Sequence, residues 1–173
     1  MIAKCSWCGK DLGKRDSAPG EDAVITHSIC EECADKIFSS GVELRKLLNR
    51  LDAPVLVVDR DVCVEMANDQ ALELLGKNLP EIKDYCGGDV FECVHSREPG
   101  GCGRTIHCSG CVIRSVVEDT MKTGRSHTCV PAVLKKRSPD DVEECDMLIS
   151  TQKQLGMVLL RIDDLRKKET QKE

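Results

Sequence analysis

Aromatic residues are scarce in this sequence. Trp7, Phe38, Tyr85 and Phe91 are the only four among 173 residues, too few to build a platform on which nucleic-acid bases stack. An excess of positive charge is missing as well. The formal net charge is −5, and Lys135-Lys136-Arg137 is a short basic run. Such a run reads as a solvated strand end, and without a basic field no nucleic-acid partner is expected. No stretch approaches 18 uninterrupted apolar residues, so no membrane-spanning helix and no membrane partner are expected. Lys4, Lys10, Asp11 and Lys14 interrupt the N-terminus, which therefore lacks the apolar core of an export signal. The expected location is cytoplasmic, where thiols stay reduced.

Catalytic signatures are also missing. The sequence holds no Gly-x-Ser-x-Gly elbow, no P-loop and no HExxH. No pair of carboxylates stands out from a solvated background, and no enzyme activity is expected.

Cysteine, by contrast, is abundant, with twelve residues. In a reducing compartment that number points to metal ligation or redox chemistry more than to structural disulfides. Cys5-Ser6-Trp7-Cys8 and Cys30-Glu31-Glu32-Cys33 form two CxxC knuckles. Each turn can aim two sulfurs at one ion, and together they supply a closed, four-thiolate tetrahedral site suited to Zn2+. Residues 1–36 are too few to bury a core, so such an ion would fold them. Residues 1–50 hold eight acidic and eight basic side chains, which argues against a nucleic-acid-binding finger. His27 lies just ahead of Cys30 and reads as a neighbour of a saturated ion, or as surface.

A second group follows: Cys93, Cys102, Cys108 and Cys111, within a glycine-rich loop. Three readings stay open for it. These are an iron–sulfur cluster, a second Zn2+, and a metal-free thiol switch using Cys108 with Cys111 or Cys93 with Cys102. His95 and His107 flank the loop and could replace one sulfur. Cys63, Cys129 and Cys145 fall at strand positions and read as small buried hydrophobes.

Periodicity divides the rest. Residues 37–51 read as a connecting helix, with Ile37, Leu44 and Leu51 seven apart and Gly41 and Leu48 between them. Ala53-Pro54 ends it. Val55 to Val58 and Val62 to Ala67 predict a hairpin, and Asn68 or Asp69 caps a helix that ends at Gly76. A longer helix is expected from Ser109 to Thr123, closed by Gly124, with Val112, Ile113, Val116, Val117 and Met121 on one face. Three strands follow, over Ser126 to Leu134 (Pro131 marking an edge), Glu144 to Thr151 and Leu155 to Ile162. Residues 52–166 thus read as one α+β domain with an antiparallel sheet, and residues 167–173 as a charged tail.

The runs Pro54-Val55-Leu56-Val57-Val58-Asp59, Ala67-Asn68-Asp69-Gln70-Ala71, Thr123-Gly124 and Arg161-Ile162-Asp163-Asp164-Leu165, taken in order, resemble the PAS sensor family. That resemblance implies a five-stranded antiparallel sheet with flanking helices around a ligand pocket, and a role in sensing or protein pairing. The segment Gly101-Cys102-Gly103, Cys108-x-x-Cys111, Ile113-Arg114 is similar to a cysteine-rich bacterial PAS variant, which implies a metal or redox role. Residues 5–33 resemble a short zinc module found ahead of bacterial sensor domains. The expectation is a signal-transduction sensor or adaptor that responds to redox state or oxygen. Its expected partners are a second copy in a homodimer and a signalling protein such as a kinase or regulator. Two alternatives stand beside it: an interaction module with two structural zinc sites, and a thiol–disulfide redox protein.

Overall fold

The computed structural model describes residues 2–5, 8–14, 25–28, 30, 32–33, 41–137, 142–154 and 156–168. Trp7, the start of the connecting helix at 37–40, the turn residue Leu155 and the tail from 169 onward lie outside the described residues. The chain divides into two compact units, 1–46 and 47–173.

The first unit holds a three-stranded sheet of β1 (Ile2–Cys5), β2 (Asp11–Lys14) and β3 (Ile25–Ser28). β1 is central, antiparallel to β2 and parallel to β3. Four-residue strands carry too little periodicity to register in the sequence, where only the two CxxC knuckles stand out. The helix α1 (Gly41–Leu48) runs across the boundary between the units. Leu44 and Leu48, which the heptad spacing places on a pairing seam, are already buried in the single chain, whereas Leu51 is 40% exposed.

The second unit is built on five antiparallel strands in the spatial order β5-β4-β8-β7-β6. They are β4 (Val55–Val58), β5 (Val64–Ala67), β6 (His127–Arg137), β7 (Val142–Gln154) and β8 (Met157–Lys167). Between β5 and β6 the chain forms α2 (Asp69–Leu75), α3 (Leu79–Ile82), α4 (Gly87–Val90), two 3-10 turns (Val94–Arg97 and Ile106–Gly110) and α5 (Val112–Thr123). This is a PAS-like α+β fold, as the resemblance implies.

Every residue of β4 is buried, which explains its unbroken apolar run. On β7 the alternation Cys145, Met147, Ile149, Thr151 faces inward, as period two requires. Ile113 and Val117 of α5 join Leu56, Leu134, Ile149 and Leu160 in one core. Val112 is 37% exposed and Thr120, absent from the expected face, is fully buried. Its hydroxyl meets that of Thr151 at 2.7 Å, so this buried polar pair satisfies itself. Pro131 sits on β6, an edge strand, where its missing N–H costs no ladder bond. The last strand runs on past the expected Ile162: Arg166 and Lys167 belong to β8 and pair with Asp146 and Cys145.

Asn68 locks the start of α2. Its Oδ1 accepts from Ala71 N–H and Val55 N–H, each at 2.9 Å. Its amide donates to the carbonyls of Ala53 at 2.8 Å and Leu48 at 3.2 Å. The capping residue is therefore also the polar joint between helix, strand and preceding loop.

Candidate metal centres

In the first unit, β1 ends on Cys5, whose N–H donates to Lys10 O at 2.8 Å, while Gly9 N–H returns to Cys5 O at 2.9 Å. Gly9 sits at φ +73°, a left-handed turn that a side chain would strain. This knuckle carries Cys8 back toward Cys30, with their sulfurs 3.7 Å apart. Cys30 N–H donates to Cys5 Sγ at 3.3 Å. The sulfurs of Cys5, Cys8, Cys30 and Cys33 all lie within 4.8 Å of one another, close enough to hold one metal ion. A tetrahedral ion with Zn–S bonds of ~2.3 Å keeps its sulfurs about 3.8 Å apart, so the donor set fits zinc. Burial, then hydrogen bonding to Cys30, Cys8 and Cys5, pushes the Cys33 thiol up to about 12. The side chain of His27 lies outside the described residues, and its backbone pairs with Lys4 on the β1–β3 ladder.

In the second unit, Cys93, Cys102, Cys108 and Cys111 line one cavity of about 240 Å³. Different elements bring them there. Cys93 precedes the first 3-10 turn, Cys102 lies in the glycine loop, Cys108 sits in the second turn and Cys111 caps α5. Gly88 N–H donates to Cys102 Sγ at 3.2 Å, and Gly103 N–H to Cys108 Sγ at 3.0 Å. Thr105 Oγ1 meets Cys108 Sγ at 3.2 Å. Among the described residues, no three of these four sulfurs lie within 4.8 Å of one another. The set surrounds a volume without converging on one point. Four thiolates lining one cavity are the donor set of a metal ion or of a cluster.

The electrostatics of the cavity are graded. Burial raises the Cys93 and Cys102 thiols, against the N–H of His95 for the first and of Gly88, with Arg114, for the second. Burial acts on Cys108 too, but Thr105, Gly103 N–H and the Arg114 charge together bring its thiol below the ordinary cysteine value. The long helix is expected from Ser109. The helix in fact begins at Val112, and the loop around Cys108 supplies the donors instead. Arg114 donates to Asp61 O at 2.8 Å and pairs with Glu118 Oε1 at 3.1 Å, and its charge is among the influences that lower the Cys102 thiol. A Cβ on Gly103 would displace the Arg114 guanidinium and would be strained at φ +88°, which favours glycine there.

Sequence reading missed the roles of Gly88, Thr105 and Arg114. Nothing in their local spacing announces a contact that only the tertiary fold creates. Cys63, expected as a small buried hydrophobe, is instead paired with Cys86. They face each other on an isolated antiparallel bridge and are joined as a disulfide. Of the residues expected to be buried, Cys145 is, whereas Cys129 is exposed. No helix among the described residues is long and apolar enough to cross a membrane.

No protein family profile matches the chain, and no curated protein sequence matches it significantly. Several solved structures show a partial likeness to it. The LOV protein of Rhodobacter sphaeroides is 18% identical with a TM-score of 0.46, over 74% of this chain and 66% of that one. The chain thus spans just under two thirds of that protein. The PAS domain of the RpfR quorum-sensing receptor from Cronobacter turicensis, in complex with BDSF, is 15% identical with a TM-score of 0.43, over 69% and 96%. The PAS domain of nitrogen regulation protein NR(II) from Vibrio parahaemolyticus is 14% identical with a TM-score of 0.41, over 72% and 97%.

Proposed function

We propose that this chain is a non-enzymatic sensor module responding to redox state or oxygen through an iron–sulfur centre held by Cys93, Cys102, Cys108 and Cys111. Cys5, Cys8, Cys30 and Cys33 hold a structural zinc ion in the same reading. The observation that carries it is the four sulfurs lining one cavity of the second unit, with the closed four-sulfur knuckle of the first unit as a separate site. A cysteine-ligated cluster supplies one-electron chemistry and sensitivity to oxygen. The chain's own residues do the rest. Gly88 and Gly103 direct N–H groups at two of the sulfurs, which stabilises negative charge on them. Arg114 offsets that charge from the first turn of α5.

Cys111 caps α5, and Ile113 and Val117 of that helix pack in the core. A movement of Cys111 is therefore a movement of the helix that touches β7 through Thr120 and Thr151. The expected recipients are a second copy of the chain and a signalling protein such as a kinase or regulator. Light scattering of the purified protein tests the first.

Anaerobic purification followed by iron, sulfide and zinc analysis decides the centre. Iron and acid-labile sulfide in matching amounts, lost in Cys108→Ser, are the expected result. One equivalent of zinc in this cavity and no iron would replace the sensor with the two-zinc interaction module. The thiol–disulfide reading draws on a different observation, the Cys63–Cys86 bridge. Alkylation mapped by mass spectrometry under anaerobic and oxidising conditions tests it. A bridge that opens and closes while the metal content stays constant would favour that reading.

A further inference from the structure

Beside the cysteine cavity, the structure brings together three side chains that the cysteine chemistry does not use. Among the described residues, only two groups of three or more metal-ligating side chains have donor atoms within 4.8 Å of one another. One is the four-cysteine knuckle, and the other is His95, Glu98 and His107. His95 belongs to the first 3-10 turn, Glu98 caps that turn's end, and His107 belongs to the second. Both imidazoles also form part of the cavity wall.

Glu98 Oε1 is the focus of the group. It lies 2.6 Å from His95 Nδ1 and 3.8 Å from His107 Nε2. Two donors on one ion with bonds of ~2.1 Å stand about 3.0 Å apart at a right angle and about 3.4 Å apart in a tetrahedron. The two observed separations bracket that range. The rings stack with centroids 3.9 Å apart at 20°. Nor is the group entombed: His107 is 47% exposed at its side chain and Glu98 38%.

We infer that His95, Glu98 and His107 form a second type of metal site, a two-histidine, one-carboxylate site for a borderline divalent transition metal ion such as Zn2+, Co2+ or Ni2+. Two imidazoles select against Mg2+ and Ca2+, which prefer oxygen donors, and the absence of thiolate separates the site from both cysteine centres. Its position gives it a structural consequence. Residues 99–106 lie between the ligands and include Gly100, Gly101 and Gly103, all at positive φ. An ion here ties the two ends of that loop together across the mouth of the cavity. The inference does not depend on what the cysteines hold.

Cobalt reports the ligand type directly. Titration of the full-length protein with Co2+, with iron, sulfide and zinc measured on the same samples, should give one equivalent with weak d–d absorption and no sulfur-to-cobalt charge-transfer band. Glu98→Gln and His107→Ala should each weaken that equivalent by roughly ten- to a hundredfold. Arg104 is exposed within the tied loop. Trypsin cleavage after it should slow about tenfold when Co2+ stands at ten times its Kd, and not in either variant. Glu98→Gln keeps size and hydrogen bonding, so it remains informative if His107→Ala fails to fold. A titration in which every equivalent carries the charge-transfer band places all the cobalt on thiolates and overturns the site. So does an equivalent that neither variant weakens.

Discussion

Gly88 donates its N–H to Cys102 Sγ at 3.2 Å, and a Cβ built on Gly88 would stand 2.8 Å from that same sulfur. The glycine is thus both the donor that holds the sulfur and the space that admits it. It would also meet Ser96 Cβ at 3.2 Å, so neither neighbour can give way without the loop moving.

Gly88→Ala should therefore displace Cys102 and cost about 1–3 kcal/mol by overpacking. Metal bound at the second cysteine site should fall with it. Gly110→Ala is the control, since nothing lies within 4 Å of its Cβ position. Metal analysis and denaturant melts of the two variants make the comparison. Equal retention of metal in both would separate Gly88 from the site.

For the knuckle, Cys30→Ser with Cys33→Ser should remove one equivalent of zinc and make the first unit protease-sensitive, while the second keeps its melting transition. Because the Cys33 thiol sits as high as about 12 without metal, zinc binding near neutral pH must expel protons. Affinity should rise from pH 6 to pH 8, as read by competition with a chelator of known affinity. A flat profile would contradict thiol ligation.

Glu92 holds two lysines at once, with Lys77 and Lys136 each 3.0 Å from its carboxylate. The hydrogen bonds from Lys136 and then Lys77 keep its carboxyl below the ordinary value of 4.5, against a smaller effect of burial. A depressed folded value means stability that is present above the unfolded value and lost as pH falls through the folded one. Glu92→Gln should cost about 0.5–1 kcal/mol at pH 7, because the pairs are part-exposed. The difference from wild type should shrink below pH 4.5. A constant difference from pH 7 to pH 3 in urea melts would exclude the charge pairing as its cause.

Asn68 makes four hydrogen bonds while fully buried. Asn68→Ala removes the helix cap and leaves buried backbone groups unpaired, a loss of about 2–4 kcal/mol. Asn68→Asp keeps the acceptor for Ala71 and Val55 but not the donors to Ala53 and Leu48. It should therefore also destabilise, by a different route. Thermal melts in which Asn68→Ala matches wild type would refute this.

Much of the framework was legible in the residues because it depends on local rules. The unbroken Val55–Val58 run, the period-two face of β7, the cap at Asn68 and the left-handed glycines at 76 and 124 are each set by near neighbours in the chain. The knuckle belongs with them, since a CxxC turn already pairs its sulfurs before any fold exists. The second cysteine site is another matter. The sequence determined that Cys93, Cys102, Cys108 and Cys111 share a glycine-rich loop, but not how far apart their sulfurs stand. That spacing follows from where α4, the two 3-10 turns and α5 pack against the sheet. The tertiary structure alone decided that Gly88 and Arg114 reach Cys102, that Cys63 meets Cys86, and that His95, Glu98 and His107 meet. These contacts join residues three to twenty-three positions apart through backbone turns at positive φ and irregular helices, for which composition and periodicity carry no signal.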